Sequence, residues 1–341
     1  MTATERVALV VTSIAAPNAV LRALASGAAA QGWDYVVVGD ARSPAGFVLD
    51  HCRYFDLEAQ RASGLGYAEL CPVGHYARKN IGYLLAIRDG AARLVETDDD
   101  NMPLDGFWPQ ASAWTRAPLL RAPGWANVYN LFSEALIWPR GLPLGTARRS
   151  LPAYAALPEI ACLCPIQQGL ADGAPDVDAI HRQLFPEPVS FAAGRRVVLD
   201  RETWCPFNSQ NTVWLEPAFP LLYLPATCSF RMTDIWRGLV AQRIAWEQGW
   251  RVLFTSPTVF QDRNPHDPLR DFADEVSGHL RNEAIVKTLE AVKVEPGDLN
   301  GALTACYRAL VDLGAVEPRE LDLLAAWLDD LAVISESARR Q

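Results

Sequence analysis

Two short β-branched runs, Val7–Thr12 (VALVVT) and residues 35–39 (YVVVG), bracket the Ala- and Leu-rich stretch Ala19–Gln31. Valine-rich runs with a helical segment between them spell β-α-β, a unit that builds a parallel sheet. A second unit follows. Residues 76–89 carry apolar side chains at Ile81, Leu84, Leu85 and Ile87, Gly90 supplies a stop, and residues 92–97 form another strand-like run. The pattern predicts an α/β fold built on an open, mainly parallel sheet flanked by helices.

The later chain is less regular. Residues 102–165 are rich in Pro and Trp (Trp108, Trp114, Trp125, Trp138), which breaks long helices and predicts loops over the sheet, with core packing the simpler role for the tryptophans. Strand character returns at 196–199, 221–224 and 252–255, and Thr233 is placed to cap a helix over 234–248. Helical patterns at 280–292, 299–313 (capped by Asp298) and 318–334 close the chain. This predicts two parts, a sheet domain over 1–275 and a C-terminal helical extension over 276–341.

Half of the 341 residues are hydrophobic and 21% are charged, the balance of an ordinary globular chain rather than a disordered one. A net charge of -9 argues against a general nucleic-acid binder, so anionic substrates need local cations. No apolar run reaches the ~20 residues of a membrane span, and the first six residues leave no room for a secretion signal. A cytoplasmic protein is expected, with peripheral membrane association left open. Seven scattered cysteines fit reduced thiols better than a disulfide framework. There is no G-x-G-x-x-G after the first strand, no P-loop and no G-x-S-x-G, which disfavours dinucleotide, P-loop and hydrolase sites.

In an open α/β sheet, ligands bind outside the carboxyl ends of the strands, and Thr12, Asp40 and Asp98 fall there. Asp98, Asp99 and Asp100 repel one another unless a cation or donor groups hold them; a metal and phosphate site is one reading and a solvated acidic turn is the other. The helix starting near Ala77 is about 13 residues, ~20 Å at ~1.5 Å per residue, so its start should neighbour Asp98. Arg78 and Lys79 stand at that start, where the helix dipole disfavours cations unless an anion lies opposite. A diphosphate explains them, and so does ion pairing with the aspartates.

Two further clusters stand out. In F-R-M-T-D-I-W-R, Asp234 and Arg237 share a helix face, an arrangement that also makes a surface salt bridge. Asp262, Arg263, Asn264, His266 and Asp267 follow the strand at 252–255 and return to the same edge. His266 is a candidate metal ligand there, and a solvated loop histidine is the plainer alternative.

Taken together, the segments at 78–91 (RKNIGYLLAIRDGA), 96–101 (ETDDDN), 206–212 (PFNSQNT), 230–238 (FRMTDIWRG) and 263–267 (RNPHD) resemble the STELLO-type glycosyltransferase-like family. VVTSI and VVVGDARSP near the start resemble it too, so the likeness runs over roughly residues 6–275, with the C-terminal helices outside it. The resemblance implies a GT-A-like nucleotide-sugar fold in which an Asp-x-Asp element, here Asp98 to Asp100, binds a divalent metal and the donor diphosphate. It implies that Thr12 and Asp40 border the nucleoside, and that Asp98 contacts ribose or metal. Asp100 would coordinate Mn2+ or Mg2+, with Asp99 beside it on the donor and His266 completing the metal shell. Arg78 and Lys79 would neutralise the diphosphate, Arg237 would hold phosphate or position Asp234, and Asp234 would be the catalytic base.

The expected function is therefore metal-dependent transfer of a sugar from a nucleoside diphosphate sugar to an acceptor hydroxyl. The resemblance favours a UDP-sugar donor and a carbohydrate or glycoconjugate acceptor, and direct displacement predicts inversion. A nucleotide-sugar mutase would use the same apparatus without an external acceptor. A non-catalytic nucleotide-sugar-binding scaffold would keep the fold without turnover.

Overall fold

The computed structural model describes residues 5–108, 111–264 and 266–339. The first valine runs form β1 (Val7–Thr12) and β2 (Asp34–Val38), joined by α1 (Ala19–Gln31) and followed by β3 (Arg53–Phe55) and the short helices α2 (Leu57–Arg61) and α3 (Gly66–Leu70). Next come α4 (Lys79–Arg88), β4 (Arg93–Thr97) and β5 (Asn101–Pro103). The Trp- and Pro-rich region holds β6 (Trp114–Leu120), β7 (Gly124–Trp125), β8 (Glu159–Leu163) and β9 (Ile166–Gly173) among short 3-10 turns. After α5 (Ala179–Leu184) follow β10 (Arg196–Leu199), β11 (Thr203–Trp204) and β12 (Asn211–Leu215). The chain ends in α6 (Thr233–Glu247), β13 (Val252–Gln261), α7 (Pro268–Ala291), α8 (Leu299–Asp312) and α9 (Glu320–Arg339).

Among the described residues, one large mixed sheet runs β3-β2-β1-β4-β12-β9-β13-β10-β6-β8, with β5 paired to β13. β3, β2, β1 and β4 are mutually parallel, and β9 and β13 run with them across the antiparallel β12. The predicted α/β, GT-A-like architecture with C-terminal helices is present. Because these six strands point the same way, the loops after β1, β2, β4 and β13 open on one edge.

Gly82 explains how α4 sits on this sheet. A Cβ there would lie 2.7 Å from Val10 Cγ1 and 2.8 Å from Val38 Cγ2, so only glycine lets the helix press onto β1 and β2. A mid-helix glycine costs about 1 kcal/mol relative to alanine, and here close packing offsets it. The approach sets Lys79, at the helix start, beside the end of β4.

Several expectations need correction. Residues 221–224 are not a strand: Glu216–Leu222 is a 3-10 segment, since two prolines remove ladder donors. Thr233 is the first residue of α6 rather than its cap, which is Met232. The helix expected over 280–292 begins at Pro268, with Asp267 capping it through Leu269 N and Arg270 N. Residue 275 lies inside that helix. Both β6 and β8 lie within the region read as loops. Of its tryptophans, Trp125 and Trp138 are buried whereas Trp114 is exposed.

The last helices pack against the sheet layer. Tyr67, Tyr223, Tyr307 and Trp327, from four different elements or loops, form a buried aromatic cluster with ring centroids 5.2 to 6.3 Å apart along its contacts. Such pairs contribute roughly 0.5–1.5 kcal/mol each beyond area burial.

Candidate active site at the carboxyl edge of the sheet

β4 ends at Thr97 and delivers the aspartate triplet to the edge where the chain reverses into β5. The triplet is held rather than free. Ser13 Oγ donates to Asp99 Oδ2, and Asn18, the cap of α1, donates its Nδ2 to Asp99 O at 2.8 Å. Asn264 donates its backbone N–H to Asp100 Oδ2 and its Nδ2 to Asp99 Oδ1, both at 3.2 Å. Gln261 Nε2 donates to Asp100 Oδ1, also at 3.2 Å. A register shift in β13 between Thr255 and Val259 swings the strand end toward β5, which is how residues 261–264 reach the triplet.

Lys79 is completely buried and donates from Nζ to Thr97 O at 2.8 Å, Asp98 Oδ1 at 3.2 Å and Ser209 O at 3.2 Å. It sits beneath Asp98, whose own side chain is 40% exposed at the mouth. Partial burial, with Asp100 and Asp234 nearby, pushes the Asp98 carboxyl up to about 7 against the pull of Lys79. Burial likewise raises Asp99, opposed by its bond from Ser13. Carboxylates in this state gain from a cation.

The donor set suits Mg2+ or Mn2+ held in part by substrate, since such ions commonly take one or two carboxylates together with phosphate oxygens and water. The long 3.2 Å contacts on Asp98 and Asp100 leave acceptor capacity for that purpose. His266 does not join them. Its Nδ1 faces Asp271 Oδ1 at 3.4 Å, and among the described residues Asp98, Asp100 and His266 do not gather three ligand atoms within 4.8 Å of one another.

Thr12 ends β1 next to Ser13, whose N–H donates to Val38 O and ties the loop to β2. Asp40 stands after β2 and accepts from Gly74 N at 2.9 Å on both oxygens, so it fixes the loop leading to α4. Arg78 turns inward, donating Nε to Gln60 Oε1 at 2.7 Å and Nη1 to Cys71 O at 2.9 Å. It braces the 71–72 loop instead of facing the triplet. Arg237 is buried too, in a bidentate pair with Glu96.

Asp234 is also enclosed. Arg140 reaches both of its oxygens at 3.0 Å, and Ser209 N donates to Oδ2 at 3.0 Å. Although burial opposes its ionisation, Arg140 outweighs that and holds the carboxyl below its usual value. Arg140 also grips Asp176 at 2.7 and 2.6 Å. Segment 208–210 links this cluster to the triplet: Asn208 Nδ2 donates to Asp176 Oδ2 at 2.8 Å, and Gln210 Nε2 donates to Gln261 Oε1 at 2.6 Å. Gly238 permits this, because a Cβ on it would meet Phe207 O at 2.7 Å.

Sequence reasoning missed Ser13, Asn18, Gln261, Arg140 and Asp176. Ser13 directly follows a strand and had a positional signal. Arg140 and Asp176 lie in a region whose sequence carries no periodicity, and only tertiary folding makes them partners of Asp234.

A profile of the family described as STELLO glycosyltransferases matches residues 231–337, which takes in α6, β13 and the three C-terminal helices, so the likeness extends into the helices expected to lie outside it. Over 326 aligned residues the chain is 27% identical to the probable glycosyltransferase STELLO1 of Arabidopsis thaliana, covering 89% of this chain and 42% of the relative. The figures for the probable glycosyltransferase STELLO2 of the same plant are 27% over 324 residues, with the same coverage. The chain thus spans about two fifths of the length of the curated relatives it matches. Profile and relatives agree, and they support kinship of this chain with the STELLO-type glycosyltransferase family.

Proposed function

We propose that this chain carries a glycosyltransferase site that uses a nucleoside diphosphate sugar, with a UDP-sugar as the first candidate, and transfers the sugar to a hydroxyl of a carbohydrate or glycoconjugate acceptor. The observation that carries the reading is the aspartate triplet at the end of β4, underpinned by buried Lys79 and met by Ser13, Asn18 and Asn264 from neighbouring loops. Asp98 and Asp100 would hold Mn2+ or Mg2+, which would offset charge on the departing diphosphate. Asp99, fixed by Ser13, and the loops carrying Thr12 and Asp40 would border the nucleoside. Lys79 supplies a fixed positive charge under the site; preset charges of this kind favour leaving-group departure because they need no reorganisation.

Asp234 enters this reading as a positioning residue. Its oxygens already receive Arg140 and Ser209, so taking a proton from an acceptor would first require opening a buried ion pair. Arg237 acts one layer lower by fixing β4 through Glu96, and Arg78 shapes the loop between α3 and α4. Inversion at the anomeric carbon is the outcome expected of a direct displacement.

Calorimetric titration of the chain with UDP and Mn2+ tests the reading. Asp100→Ala is expected to weaken metal-dependent nucleotide binding at least about tenfold, ~1.4 kcal/mol, while metal-independent binding stays low in both proteins. Equal affinity in wild type and variant would remove the triplet from the site. Product analysis with donor alone and then with acceptors separates transfer from a mutase reaction.

A further inference from the structure

A second group of potential ligands lies away from the triplet, between α5 and α7. Asp178 caps α5, its Oδ1 accepting from Ile180 N at 2.9 Å. Glu275 and His279 stand one turn apart on α7, four residues being the spacing that puts two side chains on the same helix face. Ligand atoms of all three residues fall within 4.8 Å of one another. We propose that Asp178, Glu275 and His279 form a divalent-metal site, suited to Zn2+, that pins α5 to α7.

This is more than a group of surface acids. Asp178 and Glu275 are 0% and 1% exposed, and Asp178 Oδ2 is buried without accepting a properly directed hydrogen bond. Opposite it stands His279 Nε2, 3.1 Å away. With a neutral His279 that turns its Nε2 lone pair to Oδ2, this buried oxygen is left unsatisfied, at a free-energy cost that a cation bound to both atoms would recover. Glu275 is oriented from behind, with Oε1 accepting from Arg231 Nη2 at 2.8 Å and Nε at 3.0 Å, and Oε2 accepting from Ala179 N at 2.8 Å. An oxygen taking one N–H keeps a lone pair, and bonds from behind are the usual way ligating carboxylates are aimed. The Trp138 ring, with its centroid 5.6 Å from that of His279, limits imidazole rotation.

One imidazole nitrogen and two carboxylate oxygens make a donor set that Zn2+ accepts, with a fourth position for water on the side where His279 is 23% exposed. The competing arrangement is a protonated His279 paired with Asp178 and no metal. The two differ in whether Nε2 offers a proton or a lone pair.

Equilibrium dialysis of the chelator-stripped full chain against ZnCl2 distinguishes them. His279→Gln is expected to bind one Zn2+ fewer than wild type, whereas Asp100→Ala keeps that equivalent, so failure here is separable from failure of the triplet as a donor site. His279→Cys loaded with Co2+ should develop a thiolate-to-cobalt charge-transfer band, a readout that an ion pair cannot produce. Equal Zn2+ stoichiometry in wild type and His279→Gln, or absence of that band, overturns the proposal. The Cys variant answers the question even if the Gln variant folds poorly.

Discussion

Arg237 closes a two-pronged ion pair on Glu96, with Nη1 2.9 Å from Oε2 and Nη2 2.7 Å from Oε1, in the interior two residues before Asp98. Tyr83 and Trp214 Nε1 also donate to the Glu96 carboxylate, and the guanidinium lies 5.0 Å from the Trp214 ring centroid. α4, β12 and α6 are thereby fastened to the strand that presents the triplet.

Removing one member should therefore cost more than removing both. Arg237→Met leaves a buried carboxylate without its cation and is expected to lower stability by about 3–5 kcal/mol in urea unfolding. Combining it with Glu96→Leu should recover part of that loss, because no lone buried charge remains, the recovery being limited by Tyr83 Oη and Trp214 Nε1, which lose their acceptor. A double variant as unstable as the sum of the singles would argue against the pair as the source.

Asp234→Asn separates positioning from proton transfer. The substitution keeps the shape but weakens charge-assisted bonds to Arg140, so a loss of about 1–3 kcal/mol in stability and poorer donor binding should accompany slower turnover. A fall in kcat alone, with stability and donor affinity intact, would restore Asp234 as the base.

His75 gives a pH signature. Burial lowers its pKa from 6.5 to about 4, only partly countered by Asp40, so the folded chain holds the ring neutral where the unfolded chain protonates it. Between about pH 4 and 6.5 the unfolded state binds more protons, and this residue's contribution to stability is full above 6.5 and lost as pH falls through that window. His75→Asn keeps an acceptor for Ala77 N, the bond His75 Nδ1 now receives. The variant should show a flatter dependence of the urea midpoint on pH across this range.

Glu320 tests how far the final helices belong to the sheet unit. Its fully buried carboxylate accepts from Tyr223 Oη, Ala226 N, Thr227 N and Thr227 Oγ1. Glu320→Ala strands those donors and is expected to cost about 1–3 kcal/mol. A chain ending after α7 would uncover the Tyr67 and Tyr223 rings that Trp327 now covers, and should be recovered mainly as aggregate. A soluble, cooperatively unfolding truncation would show the sheet unit to be independent.

Much of the fold is legible because it is local. Val7–Thr12, the α1 stretch and the helix capped by Asp298 carry their own periodicity and caps, and β4 could be placed from Leu94 and Val95. The 3-10 segment at Glu216–Leu222 was not legible, because an apolar Pro-containing run has no period to choose between states. β13 has ten residues where the apolar pattern supports four, since pairing with β9 resumes at Val259–Gln261 past the register shift and β5 pairs with those same residues.

The site divides in the same way. From the sequence alone it follows that Asp98, Asp99 and Asp100 come directly after a strand and that Arg78 and Lys79 stand near the start of the preceding helix, because both follow from element order and rise per residue. Tertiary structure alone decided the direction in which each charge faces. Lys79 reaches Asp98, whereas Arg78, one residue earlier, turns to Gln60. Asp234 and Arg237 share a helix, yet bind Arg140 and Glu96 rather than each other. A buried charge goes to whichever partner completes its hydrogen bonds. In this chain those partners lie between 18 and 141 residues away, at separations that local spacing does not encode.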